Sequence, residues 1–459
     1  MIFRSLFLFE ALRLLRSPIP WGAAALCLGL RLFATWQWLP DMSVDPTSTS
    51  GAMLLPAVAM MLTANLATSR DTRGGMPETL AAMPGRAAER TKAATLAAVT
   101  VGAGIALPVM TGYLLARLAM GPVAGVFDPY EALAGVLAVP FAAALGAMLG
   151  RWTPWLVTVP VAAFLIGLLT YINSQLGGYG GWFLPVVLFN GPDWEQRPSG
   201  SHAVYLLACV ALFATLALLR HGARPVRLVA ALTAAAVAVP TAATATVTRQ
   251  ETAQRCEKHD VLTYCAFRDY VTWIPAWASA LEPVARALPP TRRDRLPIVR
   301  QIRDMGEYRD NAESINTFMM WGRAGAEDAS RSILASQLIR SVLALGIPMG
   351  GCDLRGQGRA LVALWLLGQS AGSAPSEDRT IQVGSSVYMQ VQSPLGMIRY
   401  GTAELGYARR LLAMPDARQR IWTHWDTLVK PSTTVEQALP LLGLRPEFAA
   451  EPAKGKPCS

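Results

Sequence analysis

Side chains that could carry out catalysis are few in this 459-residue sequence. The four histidines, at positions 202, 221, 259 and 424, are well separated, and the H-E-x-x-H motif of zinc proteases is absent. The glycine-rich turn GGCDLRGQG lacks the lysine of a G-x-x-x-x-G-K-[ST] phosphate-binding loop. We therefore expect neither an enzyme nor a nucleotide-binding site in this chain.

Four of the six cysteines lie in the polar half of the sequence, which is enough for two disulfides. Cys256 and Cys265 are close together and form a candidate disulfide, and Cys352 and Cys458 complete the set. Such bonds persist outside the reducing cytosol. A zinc site on Cys256, His259 and Cys265 is the alternative, but the spacing fits no common zinc site and no fourth ligand is evident, so we predict no metal.

Arg31 is the one charge well inside an apolar run, about 11 residues from its start. A charge at that depth suggests a partner or an aqueous path, so Arg31 is a candidate residue of a translocation path. The alternative is that its long side chain extends past Trp36 to the outer surface. We expect Arg117, near the outer end of another run, to extend outward in the same way.

Apolar runs of about 20 residues recur through the first half of the chain, and none follows Arg249. The composition is 52% hydrophobic and 16% charged, which is too apolar for an ordinary soluble protein of this size. The sequence therefore predicts about seven transmembrane helices after an amphipathic N-terminal helix. The runs cover approximately residues 20–39, 51–68, 93–118, 131–150, 154–171, 202–219 and 228–247.

Basic residues of this half lie at the ends of the runs rather than in one patch, so they indicate topology and not nucleic-acid binding. With a cytoplasmic N-terminus they fall almost entirely inside, while the opposite loops are acidic. Seven spans then place residues 248–459 outside the cytoplasm. If the Ala- and Thr-rich run 228–247 does not insert, that domain is cytoplasmic instead.

Beyond Arg249 the spacing of apolar residues predicts a mainly helical domain. A short hairpin is expected within 380–392, and an ordered tail only if Cys458 holds it. The predicted helices cover residues 273–288, 294–308, 329–345, 359–368, 402–414 and 417–428.

Between the second and third runs lies SRDTRGGMPETLAAMPGRAAERTKAATLAAV. It resembles the intracellular coupling segment of ABC-2 type transporter permeases, in which a charged turn, a short Glu-led helix and a Pro turn precede the third span. Met76 and Pro77 depart from that pattern. The matching residues are Arg70, Asp71 and Arg73 in the turn, Glu78, Thr79 and Leu80 in the short helix, and Pro84 and Arg86 after it.

The resemblance covers the membrane half of the chain. It implies an all-α fold: a six-helix ABC-2-like bundle over residues 1–227 with a coupling segment at 70–92. An additional span at 228–247 and an extracytoplasmic domain at 248–459 would follow, a combination that resembles an actinobacterial kind of permease.

In function, the resemblance implies the permease subunit of an ATP-driven exporter in the plasma membrane. ATP and Mg would bind a separate ABC ATPase subunit, and the chain would form a homodimer or pair with a second permease subunit. The substrate would be hydrophobic or amphipathic: a lipid, an antibiotic or a peptide. The alternative is a non-transporting membrane sensor or scaffold whose outer domain binds a ligand or partner.

Overall fold

The computed structural model describes residues 2–74, 87–153, 155, 157–175, 183–188, 195–196, 198–243, 248–249, 253–302, 314–317, 321–345, 351–371, 381–382, 390–391, 393–449, 451–453 and 455–458. The chain forms two compact units. The first contains Met1–Trp36 and Pro40–Glu251, and the second contains Gln37–Leu39 and Thr252–Ser459.

The first unit is built almost entirely from helices. Its short strands β1 (Glu195–Gln196) and β2 (Thr248–Arg249) pair antiparallel. The helices are α1 (Ile2–Leu15), α2 (Pro18–Thr35), α3 (Asp45–Ala52), α4 (Leu54–Arg73), α5 (Ala87–Leu118), α6 (Pro129–Trp152), α7 (Thr158–Gln175), α8 (Ser199–Leu219) and α9 (Pro225–Ala243).

Six helical stretches among the described residues are long and apolar enough to cross a bilayer. One of them joins α3 and α4 into a single stretch, Asp45–Arg73, so that it begins inside what the sequence predicts as a loop. The apolar part of α7 is shorter than the other six stretches. The predicted seventh run is present as α9, which begins at Pro225.

The packing of α4 against α6 depends on small residues. A Cβ on Gly146 of α6 would lie 2.1 Å from the Met61 carbonyl oxygen of α4, and one on Gly150 would lie 2.3 Å from the Thr68 hydroxyl. Only glycine therefore allows the two backbones to approach this closely, which is how helices commonly associate in membranes. Helix α6 is also the most deeply buried of the candidate spans.

The second unit combines helices with a small sheet. Strands β3 (Gln254–His259), β4 (Leu262–Phe267), β5 (Ile298–Gln301) and β6 (Ser314–Thr317) lie side by side in that order. The β3–β4 pair is antiparallel, whereas β4–β5 and β5–β6 are parallel. Shorter pairs join β7 (Cys352–Asp353) to β10 (Ile398–Arg399) and β8 (Ile381–Gln382) to β9 (Gln390–Val391).

Helices fill the core of this unit. A 3-10 turn at Arg268–Trp273 leads into the first helix, and the side chains of Trp273 and Trp277 are fully buried. Residues 360–367 of α12 are also buried, so this helix lies at the centre. The helices are α10 (Ile274–Ala287), Pro290–Arg293 as a single turn, α11 (Asp328–Val342), α12 (Gly358–Ala371), α13 (Thr402–Ala413), α14 (Ala417–Thr423), α15 (Trp425–Leu428) and α16 (Val435–Leu441).

The sheet is the main departure from the predicted helical domain. The helix predicted at 294–308 is wrong, because residues 298–301 form β5 with alternating exposed and buried side chains. The hairpin of β3 and β4 was not predicted. The pairing of β8 with β9 confirms antiparallel strands within 380–392, although residues 383–389 lie outside the described part of the chain.

Two disulfides hold the second unit. Cys256 is bonded to Cys265 across β3 and β4, as predicted, which rules out the zinc alternative because both thiols are used. Cys352 is bonded to Cys458. The tail is fixed further by two backbone hydrogen bonds with Asp353: its N–H donates to the Lys456 carbonyl (2.8 Å), and its carbonyl accepts from the Cys458 N–H (3.1 Å).

Gln37–Leu39 belongs to the second unit through backbone hydrogen bonds. The Leu39 N–H donates to the Trp321 carbonyl (2.7 Å), and the Arg323 N–H donates to the Gln37 carbonyl (2.9 Å). Residues 37–39 come directly after the end of α2. The second unit therefore includes a short piece of chain from between the first two candidate spans.

Candidate functional site

Several arginines lie at one end of the first unit, and we call it the basic end. Arg70 and Arg73 close α4 there, Arg90 lies near the start of α5, and Arg151 lies at the end of α6. Arg220 follows the end of α8 at the same end. The other end of the unit, which carries Asp41, Asp45, Asp128 and Glu131, is the acidic end.

At the basic end, the predicted coupling residues connect α4 to its neighbours. Arg70 donates to the Glu10 carboxylate of α1 at 3.0 Å, and the Glu10 side chain is only 9% exposed. Asp71 forms an ion pair with Arg151 of α6 at 3.7 Å. Arg73 donates to the Asn65 side-chain oxygen at 3.1 Å, within α4. Ion pairs thus link the end of α4 to α1 and α6.

The rest of the predicted coupling segment falls outside the described residues, because residues 75–86 are not among them. This applies to Glu78, Thr79, Leu80, Pro84 and Arg86. The described chain resumes with α5 at Ala87. Both flanks of the segment therefore lie at the basic end.

At the acidic end, a buried ion pair joins α3 to α5. The Arg117 Nε lies 2.8 Å from the Asp45 Oδ2, and the two side chains are 2% and 5% exposed. The Tyr113 hydroxyl donates to the other Asp45 oxygen at 2.8 Å, and Arg117 also donates to the Thr35 carbonyl at 3.0 Å. The expectation that Arg117 extends outward is wrong, because Asp45 satisfies its charge inside the bundle.

Arg31 joins the same cluster. One terminal nitrogen of its guanidinium donates to the Tyr113 hydroxyl at 3.2 Å, and the group lies 5.3 Å from the Tyr113 ring centroid. Arg31 Nε is buried without a hydrogen-bond partner among the described residues. The structure therefore favours the interpretation in which Arg31 has a partner inside the bundle over the one in which its side chain extends past Trp36.

A second acid at this end lies beside a small cavity. Glu131 of α6 accepts from the Thr47 hydroxyl at 2.5 Å and is 6% exposed. The cavity has a volume of about 20 Å³, enough for one water molecule. Ser50, Ser199 and His202 are polar members of its wall, and residues 185–187 are apolar members.

An apolar cavity of about 70 Å³ lies between α4, α6 and α7. Its wall includes Leu54 and Met61 of α4, Phe141 of α6, and Ile166 of α7. The exposed sides of α7 and α9 are also apolar, with Phe164 and Leu232 more than two-thirds exposed. This part of the unit therefore offers hydrophobic surface to a bound molecule.

Sequence reasoning missed the role of Asp45, which it counted only as an acid of an outer loop, and the role of Glu131, which it took as the first residue of a predicted span. The signal was present, since Thr47, Ser50, Leu54 and Ala57 continue the helical spacing of the second run back through the assumed loop. Residues 45–52 form α3, and the Asp45 side chain at its start is buried inside the bundle.

A G-x-S-x-G string at residues 368–372 was also overlooked. In hydrolases such a serine lies on a sharp turn between a strand and a helix. Here Ser370 lies in the last turn of α12 and is 4% exposed, with no hydrogen-bond partner for its hydroxyl among the described residues. The geometry is not that of a hydrolase nucleophile.

Comparisons with known proteins add no assignment, because no protein-family model, curated protein or solved structure matches this chain. The function must therefore be argued from the helices, the basic end and the buried charges.

Proposed function

We propose that this chain is the transmembrane permease subunit of an ATP-driven exporter that moves a hydrophobic or amphipathic substrate out of the cytoplasm. The observation that carries the proposal is the basic end. Asp71 and Arg70, which lie at the start of the segment that resembles an ABC-2 coupling segment, form ion pairs with α6 and α1 respectively. A separate ATPase that presses on residues 75–86 would therefore move three helices together.

The buried cluster of Arg31, Tyr113, Asp45 and Arg117 supports the same proposal. Charges inside a membrane bundle are costly and usually serve a pathway or a moving contact. Because the cluster links α2, α3 and α5, a change in helix positions requires these hydrogen bonds to rearrange. Export of an apolar substrate is also consistent with the apolar cavity beside α7.

The orientation that we propose has the basic end in the cytoplasm, in accord with the positive-inside rule. The loop after α2 then lies outside. Gln37–Leu39 in that loop belongs to the second unit, so the second unit is extracytoplasmic, in keeping with its two disulfides. This placement requires α7 to cross the membrane as well, and its 18 residues span about 27 Å, close to the thickness of the hydrocarbon core.

Two introduced cysteines test the orientation. A membrane-impermeant thiol reagent added to intact cells should label a cysteine placed at Glu436 in the second unit and should not label one at Arg224. Both original side chains are exposed. Labelling of the Arg224 position alone would reverse the orientation.

Affinity purification of the tagged chain in mild detergent tests the function. We expect a stoichiometric ATPase to co-purify with the native chain and to be lost with Glu78→Lys, while Glu436→Lys in the second unit retains it. A fluorogenic thiol dye that reacts with the buried Cys27 and Cys209 on unfolding shows whether each variant is folded. If the intact native chain captures no ATPase, a sensor or scaffold becomes the better assignment.

A further inference from the structure

A group of arginines lies around His221, and of these Arg151 alone takes part in the proposed coupling contacts. His221 lies in the turn between α8 and α9, and its Nε2 lies 2.7 Å from the Thr91 hydroxyl of α5. Burial lowers the pKa of His221, and the positive charges of four nearby arginines lower it further. These are Arg90 near the start of α5, Arg151 at the end of α6, and Arg220 and Arg227 on either side of the turn between α8 and α9.

Within this group, Arg151 forms an ion pair with Asp71. Arg220 and Arg227 form no ion pair with an acid in the described part of the chain, so positive charge is in excess around the turn between α8 and α9. The Arg151 side chain is 10% exposed, yet its Nε is buried without a hydrogen-bond partner among the described residues. Arg220 and Arg224 extend from the same turn and are exposed. An excess of positive charge at a surface attracts anions.

The residues around this group of arginines indicate which kind of anion would bind there. The Arg220 guanidinium lies 6.0 Å from the ring centroid of Trp152, whose indole N–H donates to the Leu216 carbonyl at 2.9 Å. Trp152 is 52% exposed, and Val226 at the start of α9 is 79% exposed. A tryptophan held beside arginine at the end of an apolar helix is typical of the level of lipid headgroups.

We propose that Arg220 and Arg224, with Arg90, Arg151 and Arg227 behind them, bind the phosphate of an anionic phospholipid whose acyl chains lie along α9. Charge complementarity and the adjoining apolar surface together select this occupant. A free phosphate would match the arginines but not the exposed Trp152 and Val226. The inference does not depend on a partner ATPase.

The test uses full-length protein that has been stripped of lipid in detergent. Unfolding is followed with the thiol dye that reports Cys27 and Cys209, while phosphatidylglycerol, phosphatidylcholine or inorganic phosphate is titrated in. We expect phosphatidylglycerol to raise the unfolding temperature far more than the other two. With Arg220→Gln and Arg224→Gln combined, its apparent affinity should fall about 30-fold, at roughly 1 kcal/mol for each arginine near a membrane surface.

Two control pairs remove the same charge elsewhere. Arg268→Gln with Arg418→Gln alters exposed residues of the second unit and should leave phosphatidylglycerol binding unchanged. Arg4→Gln with Arg16→Gln alters exposed residues of α1 and the position just beyond it, and should weaken binding much less than the change at 220 and 224. Native mass spectrometry of the same samples counts the bound lipids and does not rely on stability.

Four results would overturn the proposal. If phosphatidylcholine stabilises the protein as much as phosphatidylglycerol does, the lipid charge plays no part in binding. If inorganic phosphate does so, the acyl chains play no part. An equal loss with the Arg4 and Arg16 pair would mean that the whole basic end attracts lipid without a site. Unchanged lipid binding together with loss of a co-purifying protein in the 220 and 224 variant would assign the arginines to a protein partner instead.

Discussion

Replacement of Asp45 by Asn should strongly destabilise the first unit. The substitution removes the negative charge 2.8 Å from Arg117 and leaves a guanidinium that is only 2% exposed without a counter-ion. Removal of one partner from a buried ion pair costs about 3–5 kcal/mol. In a unit of this size that loss lowers the unfolding temperature by about 6–20 °C.

The assay is thermal unfolding in detergent, followed by the thiol dye that reacts with Cys27 and Cys209. Because membrane proteins often unfold irreversibly, all variants are compared at one heating rate. The double variant Asp45→Leu with Arg117→Met removes both charges and should recover most of the loss. Tyr113 then lacks its acceptor on residue 45, so about 1 kcal/mol remains unrecovered.

The reasoning is refuted if Asp45→Asn lowers the unfolding temperature by less than about 2 °C, since that corresponds to under 1 kcal/mol. A double variant that is less stable than either single variant would also refute it. In that case the two residues would stabilise the bundle through separate contacts and not through their charges.

Three further predictions concern other parts of the chain. Gly146→Ala should destabilise the first unit, because the new Cβ meets the Met61 carbonyl, whereas Gly112→Ala has open space and should be neutral or slightly stabilising by the same dye assay. Cys458→Ser should destabilise the second unit by about 2–5 kcal/mol. The measurement is protease digestion at increasing urea concentration, and the variant should become digestible at a lower concentration than the native chain. Glu282→Gln should stabilise the second unit more at pH 8 than at pH 4, measured as slower hydrogen exchange in Leu262–Phe267 relative to the native chain at each pH.

The surroundings of Glu282 explain why Glu282→Gln should stabilise the second unit more at pH 8 than at pH 4. Burial raises the pKa of this carboxyl, although it accepts long hydrogen bonds from Tyr264 (3.3 Å) and the Val261 N–H (3.4 Å). The folded unit therefore holds the proton more tightly than the unfolded chain does. This contribution to stability is complete below the ordinary pKa of glutamate and is lost as the pH rises through the raised value, where Gln remains neutral.

Each of the three predictions for Gly146, Cys458 and Glu282 would be contradicted by a specific result. Equal effects of the two glycine variants would mean that the α4–α6 contact can relax. Unchanged digestion of Cys458→Ser would show that the backbone hydrogen bonds with Asp353 suffice to hold the tail. A stabilisation by Glu282→Gln that is the same at both pH values would show that protonation plays no part.

Long apolar helices were predictable because each needs only local information. The Leu- and Ala-rich stretch of α8 is nearly uniform in hydropathy, and a continuous run of that length has few alternatives. The positions at which these helices begin and end were less predictable. The helix through Asp45 was mistaken for a loop because Asp, Pro, Thr and Ser are also common in turns, and only the tertiary contact with Arg117 shows the helix to be buried there.

The sheet of the second unit was missed for a different reason. Strand β5 has four residues and pairs in parallel with β4 and β6, so its identity depends on partners distant in sequence. Its sequence IVRQ gives only two alternations, too few for period-two reasoning. The ion pairs of Arg70 and Asp71 were likewise unpredictable, because Glu10 and Arg151 lie 60 and 80 positions away along the chain.

The membership of Gln37–Leu39 in the second unit has a consequence for biosynthesis. These residues leave the ribosome early, but Trp321 and Arg323, their hydrogen-bond partners, are made about 280 residues later. At 5–20 residues per second the wait is about 15–60 s. During that time Gln37 and Leu39 cannot form these hydrogen bonds, so the second unit is completed only when a segment synthesised much later pairs with residues made near the start.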